Sequence, residues 1–163
     1  MTKENLSSFV HTNVQVFYKI AQESYEAMNE HFRSHTRPKP NGEPGHIFTL
    51  DPQQKSFKNA FITIIFCGVF LESLLHLLIV KQSGLEVFKK YDRKPYEEKL
   101  KLLGCSDKSI TDLCEKYRDV RREVVHEKAY LDSDNFPRFA QKEAEIAIEL
   151  INKVVAYFKI EIG

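Results

Sequence analysis

The sequence predicts an all-α protein, a helical bundle of about four main helices with short helices between them. Three observations lead there. Apolar residues recur at spacings of three and four along several separate stretches, the mark of helices with one buried face. One 21-residue stretch, AFITIIFCGVFLESLLHLLIV (60–80), is apolar on nearly all sides, as the central helix of a bundle must be. No stretch alternates apolar and polar with period two, so no strand is expected. At 163 residues, with 29% charged residues and a mean hydropathy of −0.39, the chain is long enough for one domain with a real core, spanning 1–163.

Taken in order, the first helix is expected over 6–32. Leu6, Phe9, Val10, Val14, Phe17, Ile20, Ala21, Tyr25, Met28 and Phe32 form its apolar stripe. The stretch 34–52 then holds Pro38, Pro40 and Pro44 with Gly42 and Gly45, and reads as a long loop. Arg33, Arg37 and Lys39 with three histidines nearby make it locally basic, so it is either a solvated connector or a flap over a site. Asp51 followed by Pro52 reads as an N-cap and first helical position. The second helix is expected from there to about 81, with Gly84 as its stop. Its apolar run is long enough to span a bilayer, but Glu72 and His76 interrupt it, and a central carboxylate is costly in lipid. It is therefore read as a core helix, with no membrane partner. A short helix is expected over 85–91. Another follows Pro95 and is closed by Gly104, and a further one runs from Ser106 to about 128. After a loop containing Pro137, the last helix is expected over 139–160. Ala144, Ala147, Ile148, Ile151, Val154, Val155 and Phe158 are its buried face.

Three cysteines, Cys67, Cys105 and Cys114, form no CxxC pair. That count, with a polar N-terminus, is expected of a cytoplasmic protein. The net charge of +1 supplies no global field for nucleic acid, so any such site must be a local patch. No glycine-rich phosphate loop is present, and Ser73 and His76 have no acidic orienter beyond Glu72, which argues against an NTPase and a hydrolase triad. His31 and His35 are spaced for a metal on one helix face, but no third ligand is evident; neither metal nor cofactor is expected.

Chemistry concentrates in YRDVRREVVHEK, residues 117–128. At 100° per residue, Ile110, Leu113, Tyr117, Val120 and Val124 make a core face. Glu115, Asp119, Glu123 and Glu127 form an acidic row, and Arg118, Arg122 and His126 a second row beside it. Arg121 stands apart, at the edge of the core face. Such rows commonly make a solvated, ion-paired surface. A histidine at a helix end beside arginines also suits phosphodiester chemistry. Its imidazole titrates near neutrality and can take a proton from a ribose 2′-OH, and a guanidinium matches phosphate oxygens.

Arg121-Arg122-Glu123-Val124-Val125-His126 reads as R-x4-H, late in a helix and before a final amphipathic helix. In this it resembles the HEPN family of all-helical ribonucleases and nucleic-acid-associated domains. FLESLL (70–75) is similar to the acidic core-helix segment of that family. The resemblance covers 57–158 in architecture and about ten residues in motif. Where the family commonly has Asn, Asp or His after the arginine, this chain has Arg122. The resemblance implies a metal-independent endoribonuclease giving 2′,3′-cyclic phosphate ends, of the kind found among toxins and defence effectors. His126 would be the general acid or base, Arg121 the phosphate ligand and Arg122 its assistant. RNA is the implied partner, with an inhibitory protein a further one. The alternative is a non-catalytic dimeric module binding RNA or protein through the same face. Five residues separate Arg121 from His126, about 140° around an ideal helix. One straight helix cannot turn both to one phosphate, and the family's homodimer, with its composite site, implies how they meet. Glu72, a carboxylate in an apolar helix, is expected to be buried and paired with a cation, Arg121 or another arginine of the same helix.

Overall fold

The protein is described by a computed structural model covering residues 12–49, 51–125 and 139–161. Those residues form six α-helices: α1 (Val14–Ser34), α2 (Lys55–Ser83), α3 (Leu85–Tyr91), α4 (Tyr96–Leu102), α5 (Lys108–Val125) and α6 (Ala140–Phe158). The all-α bundle is as the periodicity predicts. The expected first turns of helix one, 6–11, lie outside the described residues, as do 126–138.

Helix α2 is the hub, packed against α1 along its length and against α6. Ala60, Ile64, Cys67, Phe70, Leu71, Leu74, Leu75 and Ile79 are buried on it. It is long and apolar enough to cross a membrane, yet half of its most apolar window lies inside the bundle. The predicted stripes meet it there. Val14, Ala21 and Met28 come from α1, and Ala144, Ala147, Ile148, Ile151 and Val154 from α6. Ile110, Leu113, Tyr117 and Val120 come from α5.

Three local expectations change. The loop 34–52 contains an antiparallel hairpin, β1 (Thr36–Pro38) with β2 (His46–Phe48), pairing Thr36 with Phe48 and Pro38 with His46. Its turn is set by left-handed backbone at Asn41 (φ 63°) and Gly42 (φ 74°). Thr49 N–H donates to the His35 carbonyl at 2.8 Å and ties the far end of the hairpin to the end of α1. Second, α2 begins at Lys55, with Gln54 in a left-handed conformation. Asp51 still satisfies free donors at 3.2 Å, accepting from Gln53 N–H ahead of the helix and from Ser56 N–H in its first turn, so it caps α2 from outside while Pro52 is not the first helical residue. Third, α5 is capped by Asp107. Its Oδ1 accepts from Ser109 N–H at 2.8 Å, and hydrogen bonds from Ser109 hold its carboxyl below the usual carboxylate range.

Candidate functional site

The site is built where α4 and the end of α5 meet the middle of α2. Gly68 makes the approach possible. A Cβ there would overlap the Tyr117 hydroxyl and stand 3.2 Å from Arg121 Nε. With only hydrogen at that position, the buried Tyr117 hydroxyl donates to the Ile64 carbonyl at 2.6 Å. This bond pins α5 to α2 one turn before Arg121. Helix α4 closes the third side, with Tyr96, Lys99 and Leu100 buried on it and Leu103 buried just past its end. The Tyr96 ring stacks on Tyr117, centroids 6.4 Å apart and planes at 30°.

Between these elements lies a cleft of about 520 Å³. Its walls carry Arg93 and Lys94 from the turn before α4, Lys99 from α4, and Arg118, Arg121 and Arg122 from α5. Two carboxylates, Glu72 and Asp92, share the lining with these six cations. Several of the cations are compensated. Arg118 Nη1 meets Glu97 Oε1 at 3.0 Å, Arg122 Nη2 meets Asp119 Oδ1 at 3.3 Å, and Lys94 Nζ meets Glu98 Oε2 at 3.3 Å. Arg121 is different: its Nη1 donates to the Tyr96 hydroxyl at 2.8 Å, a neutral acceptor. Arg93 has no carboxylate partner among the described residues.

Behind the cleft stands a compact polar cluster. Lys99, 1% exposed, places Nζ 2.5 Å from Glu72 Oε1. His76 Nε2 lies 2.7 Å from the same oxygen, 3.6 Å from Asp92 Oδ1 and 3.2 Å from Lys99 Nζ. One ring nitrogen cannot both donate to Glu72 and accept from Lys99. Two carboxylates in reach favour the donor role. Glu72, His76 and Asp92 bring ligand atoms within 4.8 Å of one another, a set able to hold a metal ion. The Lys99 ammonium already supplies positive charge at that point. Burial pushes the Tyr96 phenol up to about 12; the nearby Arg121 charge opposes the rise and Glu72, next to the hydroxyl, adds to it. The phenol therefore stays neutral near physiological pH.

Of the residues singled out in the sequence, Arg121 and Arg122 both line the cleft. His126 lies outside the described residues. Glu72 is ion-paired as expected, but its partners are Lys99 and His76, not an arginine of α5, and its side chain is 36% exposed instead of buried. The Tyr96 phenol stands beside both Arg121 and Glu72, which is why the two do not pair directly. The hairpin, considered as a flap, contributes nothing to the lining of this cleft. His35 Nδ1, one half of the spaced histidine pair, is engaged with the His31 carbonyl at 2.9 Å.

Asp92, Arg93, Lys94, Tyr96 and Lys99 are polar cleft residues that sequence reasoning missed. One signal was available: Tyr96, Leu100 and Leu103 mark a buried face at i, i+4 and i+7, and Lys99 at i+3 falls on it. A lysine on a buried face requires a carboxylate, and Glu72 was the carboxylate in want of a cation.

Comparison with protein-family models, with curated proteins and with solved structures finds no match.

Proposed function

We propose that the cleft binds the phosphodiester backbone of RNA and that the protein is a metal-independent endoribonuclease of the HEPN type. The observation that carries this reading is Arg121. The arginine of the R-x4-H motif lines a cleft of six cations, and its own guanidinium is held by a phenol, so its positive charge is not cancelled. A phosphate is the ligand that a planar, uncompensated guanidinium among cationic neighbours fits best.

In this mechanism a ribose 2′-OH attacks the adjacent phosphorus. A proton is taken from the hydroxyl, and another is delivered to the departing 5′-oxygen. His126, the next residue after the described end of α5, serves these transfers. Arg121 meets the phosphoryl oxygens and stabilises the charge that grows on the phosphorane. Arg122 adds to the local potential. The products carry 2′,3′-cyclic phosphate and 5′-OH ends. Two copies of the chain supply the site together, because about 140° of helix rotation separates Arg121 from His126.

The test is cleavage of total RNA by the purified protein in excess EDTA, with end-group analysis. Arg121→Ala and His126→Ala are each expected to lower the rate at least about a hundredfold. Wild-type rates in both variants would overturn the catalytic reading. RNA binding without cleavage by the wild-type protein would replace it with the non-catalytic module.

A further inference from the structure

We propose that Tyr96 is the positioning residue of the cleft: it holds the Arg121 guanidinium toward the bound phosphate through a neutral contact, and Lys99 keeps Glu72 from taking that guanidinium for itself. The inference rests on the reading of the cleft as a phosphate site.

A long arginine side chain can be fixed in two ways. A carboxylate fork fixes it well but neutralises it and occupies its donors. A neutral acceptor uses one donor and leaves four for a ligand. Here the bond is of the second kind, Nη1 to the Tyr96 oxygen at 2.8 Å. The phenol can hold the guanidinium steady because it is itself steady. Tyr96 is 8% exposed, its ring lies on Tyr117, and Tyr117 is bonded to the backbone of α2.

The competing carboxylate is close. Glu72 stands next to the same hydroxyl and lines the same cleft. Its oxygen Oε1 is engaged by Lys99 at 2.5 Å and by His76 at 2.7 Å. A fully buried lysine is a poor device for stability, because desolvation offsets its attraction. It makes sense as a guard that draws Glu72 away from Arg121. Two features, the phenol spacer and the buried ammonium, thus leave one guanidinium charged, oriented and accessible.

Binding of a short fluorescent single-stranded RNA, read by anisotropy, tests this without depending on catalysis. Tyr96→Phe keeps the stacked ring and removes only the hydroxyl. It is expected to weaken binding about tenfold in the wild-type background. In the Arg121→Ala background it should change nothing, since the group it positions is gone. Lys99→Gln should weaken binding by a similar factor as Glu72 turns to Arg121, and Lys99→Gln with Glu72→Gln should restore it. Thermal melts of each variant report the fold.

The outcomes separate the two ideas. If Arg121→Ala binds RNA as the wild type does, the phosphate reading falls and this inference with it. If Arg121→Ala is weak but Tyr96→Phe binds normally, the phosphate reading stands and the positioning role is overturned. Equal losses from Tyr96→Phe in both backgrounds would mean that it acts through the fold, which also overturns the role. A Lys99→Gln loss that Glu72→Gln does not reverse would overturn the guarding role of Lys99.

Discussion

Gly68→Ala is the most direct probe of how α5 is held against α2. In an exposed helix this change stabilises by about 0.8–1.0 kcal/mol, because alanine is the better helix former. Here the added Cβ overlaps the Tyr117 hydroxyl and presses on Arg121 Nε at 3.2 Å. Tyr117 is fully buried and bonded to the Ile64 carbonyl, so it cannot swing out to solvent. Overpacking of this kind costs about 1–3 kcal/mol, and bending or losing the Tyr117 hydrogen bond about 0.5–1.5 kcal/mol more. Set against the propensity gain, the net is a destabilisation of about 2 kcal/mol. For a chain of this length that is a fall in Tm of about 4–8 °C. Urea and thermal melts of Gly68→Ala, Tyr117→Phe and the double variant measure it. Tyr117→Phe alone should cost about 1 kcal/mol. In the double variant the overlapping oxygen is absent, so the two effects should fall short of additive by at least about 1 kcal/mol. A Gly68→Ala protein more stable than the wild type by about 0.8–1.0 kcal/mol would show propensity acting alone. The close packing of α5 on α2 would then be wrong, and the placement of Arg121 with it.

Three further outcomes are expected. Lys99→Met should destabilise by about 2 kcal/mol in urea melts, below the range for a fully buried pair because Glu72 is partly solvated, and Lys99→Met with Glu72→Met should recover most of it. The three buried thiols should resist a disulfide reagent until urea is added, and alkali should weaken the fold. The sign follows from burial, which pushes the Cys114 thiol up to about 12 and Cys67 up as well. Above about pH 9 the unfolded chain gives up thiol protons that the folded chain keeps, so the urea midpoint should be lower at about pH 10 than at about pH 8. Mixing His126→Ala with Arg121→Ala protein should restore part of the RNA cleavage if two copies share the site; no recovery despite demonstrated subunit exchange would exclude that sharing.

The helices were legible because long amphipathic stretches carry their own evidence. The helices α1, α5 and α6 run for 18 residues or more, and among the described residues their predicted stripes are buried or half-buried except at Phe32, which is 38% exposed at the end of α1. The hairpin was not legible. Each strand has three residues, too few for a period of two to register, and the prolines and glycines around them read as loop. Its turn rests on a left-handed asparagine, a choice that many loops also make. At the site, Arg121 and Arg122 could be named because they lie within one helix next to a histidine. Tyr96 and Lys99 could not be linked to them, since α4 is only seven residues long and enters the cleft from 25 and 22 positions earlier in the chain than Arg121.

A net charge of +1 argues against a polyanion ligand only if the charges are evenly spread, and here they are not. Six cations converge on one cleft, and the acids that offset half of them, Glu97, Glu98 and Asp119, belong to the same two helices. Screening limits exposed charges to about 8 Å at physiological salt, so a phosphate in the cleft responds to the groups around it and not to the total. Those pairings also rank the cations. Arg118, Arg122 and Lys94 each meet a carboxylate before any ligand arrives and must exchange it for a phosphate. Arg121, held by a phenol, and Arg93, without a carboxylate partner among the described residues, exchange nothing. Binding energy should therefore concentrate on Arg121 and Arg93, and a site built this way needs little global charge to select an anion.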